Sequence, residues 1–212
     1  MSEELTVVAE YATFIVVDKP GGLLSVPGRT LDLHDCVTER MKARYPEMIA
    51  QPAVHRLDMD TSGLMVVART EASHRALSIQ FIQRLVEKKY IALLDGIVEA
   101  ESGTIELPFR LDPESRPQQI YDPVNGKMGI TQWRRIAHEN GRTRIEFTPL
   151  TGRTHQLRLH ASHSLGLGCP IVGDRLYGRN SGNERLLLHA AYLAFNDPET
   201  GVRLTFTSNV GF

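Results

Sequence analysis

At 212 residues, 42% of them hydrophobic and 23% charged, the chain is long enough for one large core or two lobes sharing an interface, with the balance of an ordinary globular protein. No apolar run approaches the roughly 20 residues that a membrane-spanning helix needs, and MSEELTVVAE lacks a basic stretch followed by an apolar one, so no membrane association or secretion signal is expected. Cys36 and Cys169 lie far apart in no metal-like spacing, and two unpaired thiols in a reducing cytoplasm are the expectation. The formal net charge of −1 hides an asymmetry: residues 1–126 carry 13 Lys and Arg against 19 Asp and Glu, whereas residues 127–179 carry 9 against 3. That is the pattern of a basic face on a neutral body.

In chain order, TVVAE and ATFIVVDK read as two β-branched strands, the second stopped by Lys19-Pro20-Gly21-Gly22. LLSVPG is extended. CVTERMKARYP reads as a helix with Asp35 as N-cap and Pro46 as the stop. LMVVART reads as a buried strand, and EASHRALSIQFIQRL as a helix laid on a sheet through Leu77, Phe81, Ile82 and Leu85. KKYIALLDG and a short GTIEL return to strand, and 108–126 reads as a long irregular excursion. GITQWRRIA and TRIEFTPL are strands joined at Glu139-Asn140-Gly141. After TGRTHQLRLHASHSLG, where Thr154 is expected to cap a short helix towards Gly166, comes the Gly- and Pro-rich CPIVGDRLYGRNSGNE. RLLLHAAYLAF and RLTFT are the last strands. No repeat, low-complexity tract or interdomain linker is evident. Strands outnumber helices without alternating with them, so an α+β fold with a mostly antiparallel sheet is expected.

Between two apolar strands lies VHRLDMDTSG, a loop crowded with ionisable groups. Its HRLD has the wrong spacing for a kinase catalytic loop, and no Gly-rich nucleotide loop precedes it. DTSG differs from the aspartic-protease Asp-Thr-Gly and has no second copy. Ser62 lacks the nucleophile-elbow context, and His155, His160 and His163 match zinc spacings poorly, so no metal is expected. One reading puts a single ionised aspartate at the centre, with Arg153 or Arg158 of TGRTHQLRLH keeping it charged despite burial. The other makes Asp58 a brace for the turn at Thr61 and Ser62.

HRLDMDTSG resembles the H-R-L-D-x-x-T-S-G signature of the RluA-type pseudouridine synthases. VVDKPGGLLSVPG, KKYIALLDG, GK followed by TQW, TGRTHQLRLH, GCPIVGDRLYG and LLLHAAYLAF resemble the other blocks of that family, in its order, from about residue 8 to residue 207. LLSVPGR after the Lys-Pro-Gly turn is similar to the short form of the family, and no S4-like RNA-binding domain is expected before it. The resemblance implies the pseudouridine synthase fold over residues 1–212 as a single catalytic domain: a bent mixed sheet, flanking helices and a central cleft. It implies a cytoplasmic, monomeric enzyme that isomerises uridines of ribosomal or transfer RNA after extruding the base.

Carried over position by position, Asp58 corresponds to the essential aspartate, Tyr90 of KKY to the tyrosine that stacks on the target base, and Arg158 of QLR to the arginine that pairs with the aspartate. Arg56 of HRLD corresponds to the residue that fills the gap left by the flipped base. No cofactor is implied, because the reaction is an isomerisation without net redox change. Whether Asp58 attacks ribose, adds to the uracil ring or abstracts a proton stays open. Two competing readings are an RNA-binding chaperone that keeps the fold, and a hydrolase built on Ser62 or a His/Asp pair.

Overall fold

The computed structural model describes residues 5–28, 30, 33–178 and 184–212. Residues 1–4, Arg29 of the LLSVPGR block, residues 31–32 and residues 179–183 of the Gly-rich run lie outside them. By their internal contacts the residues form two compact units, Met1–Lys88 with His189–Gly211, and Lys89–Leu188 with Phe212.

The first unit is built on β2 (Phe14–Lys19) and β3 (Ser62–Ala68), antiparallel to one another, with β1 (Thr6–Glu10) on the outer edge of β2. On its other side β3 meets β9 (Leu188–Asn196) in parallel over Ser62↔His189 and Gly63↔Ala190. β10 (Arg203–Thr207) pairs antiparallel with β9. The apolar runs FIVV and LMVVA are continuous because both faces of these strands are covered. Side chains alternate: Phe14, Val16, Leu64 and Val66 join Leu77 of α2 (Glu71–Ile82), Phe195 and Phe206. Ile15, Val17, Met65 and Val67 join Val37 and Met41 of α1 (Val37–Arg44) on the opposite face. Full burial of each such side chain contributes roughly 1.5–3 kcal/mol before entropic costs.

Neither cap expected from sequence, Asp35 or Thr154, is found at its helix, while the second helix carries a cap that sequence pattern did not single out. Thr70 caps α2 reciprocally with Ser73, whose N–H donates to the Thr70 hydroxyl at 3.2 Å. At α1 the N-cap is Cys36, without a side-chain cap bond. Asp35 instead forms a two-pronged pair with Arg40, Nε to Oδ1 and Nη2 to Oδ2, both 2.7 Å. Arg40 sits one turn into the helix, and its charge outcompetes a backbone N–H for the carboxylate.

The second unit is an antiparallel sheet in the order β4 (Glu87–Leu94), β8 (Arg142–Pro149), β7 (Lys127–Glu139), β5 (Ser102–Leu111), β6 (Gln119–Tyr121). Burial alternates along β7 at Gly129, Thr131 and Trp133 and along β8 at Thr143, Ile145 and Phe147, the signature of a sheet with one covered face. The cover comes from α3 (Gln156–Ser162) through Leu157, Leu159 and Ala161, together with Ile171. Asn140 and Gly141, with φ of 50° and 77°, make the tight β7–β8 hairpin that Glu139-Asn140-Gly141 announces. The segment 108–126 is more regular than expected. β5 runs on to Leu111 and pairs with β6, and the Asp122 carboxylate receives the N–H groups of Val124 and Asn125 at 3.0 and 2.9 Å. The Pro, Asp and Asn residues there punctuate a hairpin.

The parallel pairing of β3 with β9 beside the antiparallel pairs makes a mixed sheet, and with three helices among the described residues the α+β expectation holds. No helix of the described residues is long and apolar enough to cross a membrane.

Candidate active site

The carboxylate singled out in the sequence sits in a turn just before β3. The Thr61 N–H donates to the Asp58 carbonyl at 3.2 Å, closing the four residues Asp58–Thr61. Asp58 and Asp60 are half-buried, Arg56 is exposed, and Leu57 and Thr61 are buried on either side.

This turn is gripped from a distance by the block that precedes α1. Lys19, at the end of β2, is completely buried. Its ammonium donates to the carbonyl oxygens of Pro20 (2.9 Å), Leu23 (2.7 Å) and Met59 (2.8 Å). Three donors thus meet three acceptors. Burial pulls the Lys19 pKa down to about 8, and the charges of Asp60 and Asp58 oppose that fall. The group therefore remains largely an ammonium at neutral pH. The Gly22 N–H donates to the same Met59 carbonyl at 2.9 Å. Ser25 clasps Leu57, donating to its carbonyl at 2.7 Å and accepting from its N–H at 3.0 Å. The backbone is therefore pinned at the residue before Asp58 and at the residue after it.

His55 packs. Its Nε2 accepts from the Val66 N–H at 3.0 Å, and its ring stacks on Phe81 with centroids 4.5 Å apart. Burial, and secondarily the charge of Lys88, push its pKa down to about 3. Ser62, the residue a hydrolase would use, is buried, with its hydroxyl 2.8 Å from Nδ1 of His189 inside the sheet. A nucleophile needs an approach path, which that burial denies it.

The remaining candidates lie in the second unit. Tyr90 stands on β4 opposite Phe147 of β8, half-buried against the core. Arg158, in the first turn of α3, is buried and forms a bidentate pair with Asp174, Nε to Oδ2 at 2.8 Å and Nη2 to Oδ1 at 2.7 Å. Oδ1 of Asp174 also accepts from the N–H groups of Leu176 and Tyr177, at 2.9 and 3.1 Å. The Tyr177 ring lies 5.3 Å from the Arg158 guanidinium carbon. Its hydroxyl accepts from the Gln119 N–H at 2.7 Å and lies 2.9 Å from Nδ1 of His155. Arg158 is thus locked in plane and direction by GDRLYG, a segment that sequence pattern alone marks only as Gly-rich.

The start of α3 departs from expectation. His155, in the left-handed region at φ 55°, occupies the N-cap with its side chain turned to Tyr177 and making no capping bond, and the helix ends at Ser162, short of Gly166. Gln156 instead braces the turn that leads into the helix. Its Oε1 accepts from the Arg153 N–H at 3.1 Å and from the Thr151 hydroxyl at 2.7 Å. Its longer side chain reaches back over the turn, and Thr154 is exposed.

The basic excess of 127–179 is partly internal. Arg134 and Lys89 share Glu146, Arg144 pairs with Glu139, Arg142 with Glu184, and Arg158 with Asp174. Lys127, Arg153 and Arg175 are exposed and, among the described residues, form no ion pair with a carboxylate. Among the described residues no three His, Cys, Asp or Glu side chains converge as metal ligands would.

Asp58 and Arg56 lie in the first unit, where Asp58 is brought near Lys19 and Asp60 and its neighbour Leu57 is held by Ser25. Tyr90 and Arg158 lie in the second, where Arg158 is brought together with Asp174 and Tyr177. Lys19, Ser25, Asp174 and Tyr177 were not singled out by sequence. The one available signal was a lysine closing the strand FIVVDK just after its apolar run FIVV.

The sequence profile of the RNA pseudouridylate synthase family matches residues 13–163. Over 201 residues the chain is 42% identical to the dual-specificity RNA pseudouridine synthase RluA of Haemophilus influenzae, covering 93% of this chain and 89% of that one. It is 41% identical over 202 residues to RluA of Escherichia coli K12, covering 93% and 90%. The structure is similar to that of human RNA pseudouridylate synthase domain containing 1, with a TM-score of 0.79 and 30% identity over 98% of this chain and 84% of that one. Human RNA pseudouridylate synthase domain containing 4 shares the fold, with a TM-score of 0.77 and 24% identity over 97% and 88%. With the profile spanning well over half its length and these relatives nearly all of it, the chain belongs to the RluA-type branch of the RNA pseudouridine synthases, enzymes that isomerise uridine in RNA.

Proposed function

We propose that this enzyme acts on both ribosomal and transfer RNA, in the cytoplasm and as a single-domain monomer, with Asp58 as its catalytic residue. The dual specificity named for relatives 41–42% identical over nearly the whole chain supports the choice of substrates. The observation that supports Asp58 most is the grip on its turn. Lys19, Gly22 and Ser25 fix the backbone at Leu57 and Met59, on either side of it, and Lys19 adds a buried positive charge. A catalytic carboxylate gains from such preorganisation, because its position need not be found anew in each turnover.

The other roles follow in the same reading. Tyr90 offers a flat ring, anchored on a strand, for the extruded uracil to stack on. Arg158, held by Asp174, corresponds to the arginine that in this family pairs with the catalytic carboxylate, a partner that keeps such a group ionised. Arg56, exposed beside the turn, enters the RNA stack where the uridine has left it. Lys127, Arg153 and Arg175 meet phosphates. The isomerisation needs no electron carrier, and we infer that no cofactor takes part.

Purified protein incubated separately with large-subunit ribosomal RNA and with transfer RNA transcripts, followed by mapping of pseudouridine, tests the substrate assignment. New pseudouridine in both is expected. Conversion in one class alone would reduce the assignment to single specificity.

A further inference from the structure

Behind the turn, the first unit holds a chain of polar side chains, buried at Ser62 and His189 and half-buried at Ser208 and Asp18, that the reaction as described leaves without a role. Ser62 Oγ lies 2.8 Å from Nδ1 of His189, and Nε2 of His189 lies 2.9 Å from Oγ of Ser208. The Ser208 hydroxyl donates to Oδ2 of Asp18. Four elements contribute: the start of β3, the start of β9, the segment after β10, and β2.

Hydrogen-bond chemistry gives the chain one direction. A carboxylate only accepts, so the single Ser208 proton goes to Asp18, and Ser208 must accept from His189. That requires a proton on Nε2. In the neutral ring Nδ1 is then an acceptor, and the Ser62 hydroxyl donates to it. Protons thus point from Ser62 through His189 and Ser208 to Asp18, and each bond polarises the next.

The location gives the chain a purpose. Ser62 directly follows the Asp58–Thr61 turn, and the parallel pairing of β3 with β9 extends over only two residue pairs. Gly63 leaves no slack there: at φ 111°, a Cβ on it would fall 2.4 Å from the Ala190 carbonyl. Asp18 and Lys19 are neighbours on β2. Lys19 holds the turn from within through Met59, and Asp18 holds its exit through Ser208, His189 and Ser62.

Resting on the assignment of Asp58 as the catalytic group, we infer that His189 is a positioning residue: the one-way chain Ser62–His189–Ser208–Asp18 fixes the exit of the Asp58 turn, tying catalysis to the segment that follows β10. Ser208→Ala removes the link between ring and carboxylate without touching the turn. It lowers kcat by about tenfold, of the size seen for coupled neighbours, and leaves KM unchanged. Ser208→Thr, which keeps a hydroxyl, restores kcat. In a Ser62→Ala background, Ser208→Ala has no further effect, because the chain is already cut. Nitrogen-15 NMR of the wild-type imidazoles, with His189 assigned by its loss in His189→Gln, shows the neutral Nε2–H tautomer.

Wild-type kcat in Ser208→Ala, additive losses in the double variant, or an Nδ1–H or cationic His189 ring would each overturn the inference. The NMR readout is independent of turnover. It therefore separates failure of this chain from failure of the Asp58 assignment, which Asp58→Asn tests alone.

Discussion

Ser25 and Leu57, 32 positions apart, exchange both of their available hydrogen bonds: the serine hydroxyl donates to the leucine carbonyl and accepts from its N–H. A single side chain here replaces a strand partner for the residue that introduces Asp58. Ser25→Ala strands two buried backbone groups at a cost of about 1–3 kcal/mol and loosens the turn. Turnover should fall while RNA affinity, which depends on remote phosphate contacts, holds. Equal kcat in mutant and wild type at a temperature where both are folded would show that the clasp does not serve catalysis.

Asp174 answers a buried guanidinium and two backbone N–H groups at once. Asp174→Ala leaves the Arg158 charge without its bidentate partner and should cost about 3–5 kcal/mol in denaturant unfolding. Asp174→Asn, which retains an acceptor but no charge, should cost less. A loss below about 1 kcal/mol in the alanine variant would place little weight on this pair.

Acid should weaken the fold through two histidines. Burial, aided by Lys88, holds His55 down to about 3, and burial, aided by His163, holds His160 down to about 4, from an ordinary 6.5. Between those values and 6.5 the unfolded chain binds more protons than the folded one. The stability tied to neutral imidazoles is therefore complete above about 6.5 and is lost as pH falls towards 4 and then 3. His160 is fully buried, its ring nitrogens find no hydrogen-bond partner among the described residues, and Phe109 meets it edge-on. His160→Leu should raise the melting temperature at pH 5 more than at pH 7.5. An equal shift at both would contradict this.

Arg153 and Arg175 are exposed and outside the ion-pair pattern that absorbs their neighbours. If each meets one phosphate, alanine at either lowers the slope of log affinity against log salt by about 0.7–0.9. RNA binding measured across a salt series checks this, and an unchanged slope would remove the residue from the interface.

The sequence made the strands legible where a physical pattern was local. FIVV and LMVVA are apolar at every position because α1 and α2 cover opposite faces, and Asn140-Gly141 can hardly be anything but a hairpin turn. It misled where the partner was distant or an alternative bond was stronger. Asp35 preferred Arg40 to the helix end, and His155 stands at the N-cap expected for Thr154. The hairpin of β5 and β6 was hidden by the residues that punctuate it. Net charge overstated the basic face, because a count does not reveal that Glu146 serves two cations. At the site, HRLDMDTSG drew attention to Asp58 by itself. The groups that hold it, Lys19, Ser25 and His189, stand 39, 33 and 131 positions away and join it only through the pairing of β2, β3 and β9.

The central claim is that one carboxylate in a clamped turn carries the reaction. Asp58→Asn keeps size, polarity and the turn while removing the charge, so single-turnover conversion of uridine in a transfer RNA transcript tests it most directly. The account predicts an RNA affinity and a melting temperature close to wild type with conversion slowed by at least about a thousandfold. Conversion within about tenfold of wild type would contradict it.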